Sequence, residues 1–231
     1  VKKAAVVLLS SGLDSTVNLF AAHEKENVVL ALTFDYGQKA AARELEHSAR
    51  LAEHLKIPHK VVSLPWFKDF NRSSLLVENE KVPTGREVDI QSHSQSLQTA
   101  KSVWVPNRNG IFLNIGAAFA EALGAQQIIP GFNAEEATTF PDNSESFMQQ
   151  LTRSLTFSTA NHVEVECYTV KLQKTEIVKM GAALKVPWHL LWPCYFSGEK
   201  WCGECESCLR SARAFTMSNV DVRNLYAKPV H

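Results

Sequence analysis

The sequence lacks the glycine patterns that most often announce a nucleotide site. No lysine follows a glycine in a G-K-[ST] arrangement, and the G-x-G-x-x-G spacing is missing, which excludes a Walker A loop and a Rossmann fingerprint. Net charge is missing too: 24 Lys and Arg balance 24 Asp and Glu, so no surplus points to a nucleic-acid or membrane surface. The first apolar run covers only residues 4–9, and no later run nears membrane-spanning length. With neither a signal segment nor a spanning helix to be read, the expectation is a cytoplasmic protein. Four of the five cysteines crowd between Cys194 and Cys208, whereas a secreted, disulfide-bonded chain would spread them. Internal repeats and low-complexity tracts are also lacking.

What is present suits one sizeable α/β domain, since 45% of 231 residues are hydrophobic. Strand-like runs at 4–9, 28–34 and 60–64 alternate with helical patterns at 14–25 and around Ala42, Leu45, Ala49 and Ala52. A further helix carries Ile111, Ile115, Phe119 and Leu123 on one face. Strands follow at 127–130 and 163–170, then a helix at 175–184. This order predicts a doubly wound parallel sheet with right-handed crossovers. Residues 66–106 are polar without a sustained period and read as a long excursion: a lid, a subunit contact or a partly disordered segment. The expected division is an α/β domain over 1–190 and a small metal-binding segment over 191–231 packed on it.

In an open parallel sheet, ligands collect where strands pass into helices. The stretch VVLLSSGLDST, residues 6–16, lies at such a place. Ser10, Ser11 and Gly12 offer main-chain N–H groups, and Ser15 and Thr16 add hydroxyls at a helix start whose dipole favours an anion. By residue type alone a plain helix cap built on Asp14 or Ser15 fits as well. At the other end, Cys194, Cys202, Cys205 and Cys208 are spaced C-x7-C-x2-C-x2-C, which suits a closed, structural zinc site. Two disulfides are disfavoured in a cytoplasmic chain, and spacing alone leaves an iron–sulfur cluster open. Cys167 reads as a small packed hydrophobe, and His54 and His59 as surface residues.

The loop Ser10-Ser11-Gly12-Leu13-Asp14-Ser15 resembles the S-G-G-x-D-S pyrophosphate loop of the ATP-pyrophosphatase, or PP-loop, group. Four further stretches resemble one branch of it, the 7-cyano-7-deazaguanine synthases. These are TFDYGQ at 33–38, VPNRN at 105–109, GFNAEEATTFPDNSESF at 131–147 and the four-cysteine ending. The resemblance implies the adenine-nucleotide alpha-hydrolase-like (HUP type) sheet. It also implies an ATP- and magnesium-dependent ligase that turns 7-carboxy-7-deazaguanine and ammonia into the nitrile through adenylated acid and amide. The ATP-binding residues it implies are Leu9, Ser10, Ser11, Gly12, Leu13, Asp14, Ser15, Thr16, Val17, Asn18, Leu19 and Lys174, with the edge 33–36 facing adenine. Arg108 would meet phosphate or the substrate carboxylate, although a cap or surface arginine is the plainer reading of that residue. Asn133, Glu135, Glu136, Phe140 and Asp142 would line the base pocket.

The sequence departs from the family pattern at several positions. Ser11, Asn107 and Thr139 stand where glycines are expected. Phe140 replaces a tyrosine, and Asn143 and Ser144 replace a cysteine and an arginine. Partners are expected to be small molecules, with no nucleic acid, and the family tends to form homodimers. The competing readings are a tRNA-thiolating enzyme or an amide synthetase of the same group, transfer of the activated base to another amine, and a zinc-ribbon nucleic-acid-binding regulator. Thiolation would need a reactive cysteine near the loop, and a nucleic-acid module would need a basic, aromatic-rich stripe.

Overall fold

Alternation along the first strand sets the two faces of the molecule. In β1 (Ala4–Leu8), Ala5 and Val7 enter one core cluster, while Val6 and Leu8 pack into the other, as side chains of successive strand residues must. The computed structural model describes residues 2–230. It joins β1 to β2 (Asn27–Asp35), β3 (His59–Ser63), β4 (Gln127–Ile129) and β5 (Glu164–Val165) in the order β3-β2-β1-β4-β5, all pairs parallel. The chain walks outward from β1 to β3, then crosses to the opposite side of β1. The switch point between β1 and β4 opens a crevice at their carboxyl ends.

Helices cover both faces, as the doubly wound reading requires. The first cluster takes α1 (Leu13–Lys25), α2 (Ala41–His54), α7 (Lys174–Ala183) and α8 (Glu206–Met217). The second takes α3 (Phe67–Phe70), α4 (His93–Val103), α5 (Arg108–Ala122) and α6 (Glu145–Ser158). Trp201, Phe215 and Tyr226 share the first cluster with Ala5 and Val17, so the cysteine-containing ending is continuous with the core under α1. No helix among the described residues is long and apolar enough to cross a membrane.

Several expectations are corrected here. The excursion at 66–106 is folded: it contains α3 and α4, the latter capped by Ser92 Oγ accepting from Gln95 N at 3.4 Å. Its scattered apolar residues Leu75, Leu76, Val82 and Val103 enter the second cluster, which explains why no period is visible. Thr84 bridges Cys205, and Gly85 N donates to Glu204 O at 3.0 Å, tying the excursion to the cysteine turn.

The α5 face with Ile111, Ile115 and Phe119 is only half-buried, and Leu123 is exposed. Leu113, Gly116, Ala117 and Ala120 face the sheet instead. The cause is close approach, since a Cβ on Gly116 would lie 3.0 Å from Leu8 Cδ2. In α2, Ala42 and Ala49 are exposed while His47, Ser48, Leu51 and Ala52 are buried. His47 is tolerated there because its Nδ1 pairs with Leu190 O at 3.0 Å.

The strand expected over 163–170 pairs only at Glu164–Val165. Beyond it, Asn18 Oδ1 accepts from Tyr168 N at 2.8 Å and draws the chain off the sheet toward α1. His59 is half-buried rather than on the surface, with Nε2 2.8 Å from Thr33 Oγ1, and burial lowers its pKa; His54 is exposed as expected.

Candidate active site

The crevice is entered by the loop between β1 and α1. Ser11 takes the left-handed conformation, φ 57°, and Gly12 is the N-cap of α1 with no side-chain cap hydrogen bond. The plain-cap reading therefore fails. Ser15 Oγ turns back to accept from Ser10 N at 3.2 Å, leaving the first-turn N–H groups of α1 to meet an anion. A non-glycine residue at positive φ costs about 1 kcal/mol. Ser11 offsets this by donating Oγ–H to Ser10 O at 2.6 Å and accepting from Trp192 N at 2.8 Å through its own carbonyl. Opposite, a Cβ on Gly131 would lie 2.4 Å from Ser15 N, so only glycine lets the β4 loop sit directly against the phosphate loop.

Leu9, Ser10, Gly12, Leu13, Asp14 and Ser15 line one cavity. Ser11 lies buried behind it, and the structure does not bring Thr16, Val17, Asn18 or Leu19 to it. Val17 and Leu19 are core residues. Asn18 spends its amide on Asp14 O at 2.8 Å and on Thr169 Oγ1. Cys167 is buried beside Asn18 as a packed residue, with burial raising its pKa.

Lys174 is not the solvated lysine that its place at a helix start suggests. Its side chain is 3% exposed and bridges Asp14 Oδ2 at 2.8 Å and Glu136 Oε1 at 2.7 Å. Burial works against the ammonium charge, but the two carboxylates outweigh it and hold the pKa up. Burial also raises the Asp14 pKa, with Lys174 opposing, and Asp14 Oδ1 is buried without a partner. Glu136 is held low because Lys174 overcomes its burial.

The facing wall is aromatic and cationic. Phe34 and Phe112 stack with centroids 4.1 Å apart, and Arg108 Nη1 lies 3.4 Å from Tyr36 Oη. Burial disfavours the Arg108 charge, but Tyr36 and Asp142 restore it and leave the guanidinium firmly protonated. Phe140 reaches the cavity and lies parallel to Trp104.

Three residues expected in the base pocket stand behind it. Asn133 is fully buried and accepts from Glu136 N at 2.8 Å. Glu135 is drawn away by Arg210 and Arg213, which overcome its burial and lower its pKa. Asp142 accepts through its carbonyl from Asn109 at 3.5 Å, while its neighbour Asn143 and Thr139 line the cavity.

Sequence reasoning missed Glu44, Trp192, Tyr195, Glu206 and Arg210, all of which line the cavity. Glu206 and Arg210 sit one turn apart on α8, paired at 2.6 Å, and Glu206 accepts from Thr99 Oγ1 of α4. The cysteine spacing marks that segment as a metal site and hides its second use.

The four cysteine sulfurs lie within 4.8 Å of one another, with Cys202 and Cys208 Sγ 3.8 Å apart. A zinc–sulfur bond of about 2.3 Å gives a tetrahedral edge of about 3.8 Å. All four cysteines are free, which sets disulfides aside, and convergence on one centre suits a single ion rather than a cluster that spreads its cysteines over several irons. Cys202 N donates to Cys194 Sγ at 3.4 Å and Cys205 N to Cys202 Sγ at 3.3 Å, as thiolate ligands require. The donor set fits zinc with no open position.

The model of the family described as queuosine biosynthesis protein QueC matches residues 4–219. The chain belongs to the QueC family. It is 67% identical over 226 residues to the 7-cyano-7-deazaguanine synthase of Bdellovibrio bacteriovorus, covering 97% of each chain. It is 50% identical over 210 residues to that of Carboxydothermus hydrogenoformans, covering 91% of this chain and 97% of that one. Among solved structures it resembles the NMN synthetase from Francisella tularensis with a TM-score of 0.51 at 15% identity, over 96% of this chain and 79% of that one, a likeness of fold.

Within the QueC family pattern, the departures have local physical explanations. Asn107 adopts φ 51°, so both it and Ser11 occupy glycine positions while keeping a left-handed backbone. Asparagine tolerates that region well. Ser144 caps α6, accepting from Phe147 N at 3.1 Å.

Proposed function

We propose that the protein is an ATP-dependent carbon–nitrogen ligase that converts 7-carboxy-7-deazaguanine and ammonia to 7-cyano-7-deazaguanine in queuosine biosynthesis. The observation that carries this reading is a single cavity in which the α1 N-terminus and Lys174 face Arg108 and the Phe34–Phe112 pair. One wall is suited to phosphates, the other to a flat, carboxylated base. The synthases named above, two-thirds and one-half identical to this chain, supply the reaction.

Making a nitrile from an acid removes both carboxylate oxygens, and each must first become a leaving group. In the first stage a carboxylate oxygen attacks the α-phosphorus of ATP, and ammonia then displaces AMP to give the amide. In the second stage the amide oxygen is adenylated, and loss of AMP with a proton from nitrogen leaves the C≡N bond. The N–H groups from Gly12 to Ser15, at the start of α1, hold the departing phosphates, in the manner of other helix-start anion sites. Lys174, already desolvated, exchanges its carboxylate partners for phosphate oxygens. Arg108 fixes the substrate carboxylate by a planar two-point contact. Phe140 stacks on the base, while Asn133, Glu135 and Asp142 hold the wall from behind.

Magnesium, when bound, neutralises phosphate charge, and Asp14, with its partnerless buried oxygen, and Glu136 are the residues that would hold it. Zinc on Cys194, Cys202, Cys205 and Cys208 would fix α8, and with it Glu206 and Arg210. The reactants are small molecules of the cytoplasm. Trp66 and Phe70, exposed at the start of the excursion, offer the surface for a homodimer, which sedimentation would read.

The test is to incubate zinc-loaded protein with magnesium-ATP, 7-carboxy-7-deazaguanine and ammonium and to follow the product by mass spectrometry. Nitrile with stoichiometric ATP consumption is expected. No product from folded, zinc-loaded protein would overturn the reading.

A further inference from the structure

Four carboxylates line the cavity, and three already hold a cation. Asp14 and Glu136 share Lys174, and Glu206 pairs with Arg210. The fourth, Glu44 in the first turn of α2, has no cation within ion-pair distance among the described residues. Its Oε2 accepts from Gln38 Nε2 at 2.7 Å. Gln38 is itself fixed, accepting from Tyr36 N at 3.0 Å and donating to Phe34 O at 3.1 Å. One carboxylate oxygen is therefore clamped, and Oε1 has no hydrogen-bond partner in a side chain that borders the cavity. The Glu44 carbonyl lies 3.5 Å from Ser11 Oγ, which sets the first turn of α2 beside the phosphate loop.

Such a group has a chemical use. Ammonia is mostly ammonium near neutral pH, and the nitrogen that attacks an acyl-adenylate must shed protons. We propose that Glu44 is the proton acceptor for the attacking amine, a role that rests on the ligase reading above. Glu44 Oε1 takes one proton from ammonium and frees the nitrogen lone pair, which forms the C–N bond as the C–O bond to AMP breaks with its electrons leaving on AMP; the second surplus proton on nitrogen leaves with the AMP phosphate. Product release returns that proton to solvent.

The electrostatics suit a base working at neutral pH. Burial raises the Glu44 pKa to about 7, with the Gln38 bond and Arg108 pulling it down and Asp35 pushing it up. Tyr36 also faces it, and burial keeps that phenol neutral. Above about pH 7 the carboxylate is free to accept a proton; below it the acceptor is filled.

The test compares wild type, Glu44→Gln and Glu44→Asp with two nucleophiles. Acyl-adenylate formation without ammonia, read by mass spectrometry, is expected to be unchanged in all three. Amide formation from ammonium is expected to fall about 100-fold or more in Glu44→Gln and to be partly kept in Glu44→Asp. Hydroxylamine, unprotonated at neutral pH, is expected to trap the adenylate in Glu44→Gln within about threefold of the wild-type rate, as removal of a general base alone requires. The wild-type ammonium rate should rise with pH and level off above about 7, whereas Glu44→Gln, left to free ammonia, should keep rising.

Undiminished ammonia use in Glu44→Gln, or an equal loss with both nucleophiles, would overturn the assignment. Failure of the wild type to form the acyl-adenylate would overturn the ligase reading and this role together. If Glu44→Gln does not fold, Glu44→Asp and the wild-type profiles decide: the same pH limb with hydroxylamine as with ammonium would contradict a proton-accepting role.

Discussion

In the proposed function the phosphate loop binds with main-chain groups, whereas the four-cysteine turn binds with side chains. This difference decides how much change each can absorb. At the loop, what matters is a left-handed residue at position 11 and the absence of a Cβ at Gly131; serine can supply the first because its hydroxyl and carbonyl both find partners. At the turn, four sulfurs must converge within 4.8 Å, and no other side chain supplies a thiolate. The two regions are also joined, since Trp192, two residues before Cys194, donates its N–H to Ser11 O.

That comparison can be broken at either end. The largest effect is expected from Cys205→Ala, which removes a ligand in a fully buried position. Zinc content should fall, and stability by on the order of 5 kcal/mol, read by metal analysis and thermal melting. Activity should vanish, because α8 carries part of the cavity wall. Next, Asp14→Ala should lower ATP turnover about 100-fold or more while leaving bound zinc unchanged; retained turnover would show that the phosphate site is misplaced. Gly131→Ala should destabilise by about 2 to 3 kcal/mol and weaken ATP binding, because the new methyl must displace the Ser15 main chain.

A smaller effect concerns Glu44 and pH. Its folded pKa, about 7, exceeds its ordinary value of 4.5, so its stabilising contribution is fully present below about pH 4.5 and is lost as pH rises through 7. Glu44→Gln should therefore gain about 1 to 3 kcal/mol over wild type between pH 5 and pH 8, in denaturant titrations at the two values. The smallest effect is expected from Ser11→Gly: relief of left-handed strain roughly offsets the added entropy of the unfolded chain and the lost hydroxyl bond. Stability should move by less than about 0.5 kcal/mol, with ATP turnover nearly unchanged.

The same contrast explains what could be read from the sequence. Period and spacing are local properties, so β1, α1, β2, β3 and the cysteine ligands are legible, and the parallel, doubly wound sheet follows from alternation. The loop was legible as a motif, but its backbone was not, because residue types do not show that Ser11 turns left-handed or that Ser15 faces Ser10. Residues 66–106 hid a helix because their apolar residues serve a distant cluster rather than one amphipathic stripe. The fate of Glu135, taken by Arg210 and Arg213, and the burial of Lys174 between two carboxylates depend on contacts across the chain. Glu44 carried no signal of its own: in a helical pattern it looks like any solvated acid, and only the cavity distinguishes it.

The central claim is that both oxygens of the substrate acid depart on AMP at the phosphate loop. It is tested most directly by supplying 7-carboxy-7-deazaguanine with both carboxylate oxygens isotopically heavy and weighing the AMP formed. The account predicts two molecules of AMP per nitrile, each with one heavy oxygen. Nitrile formed with unlabelled AMP and the label in inorganic phosphate or water would contradict it.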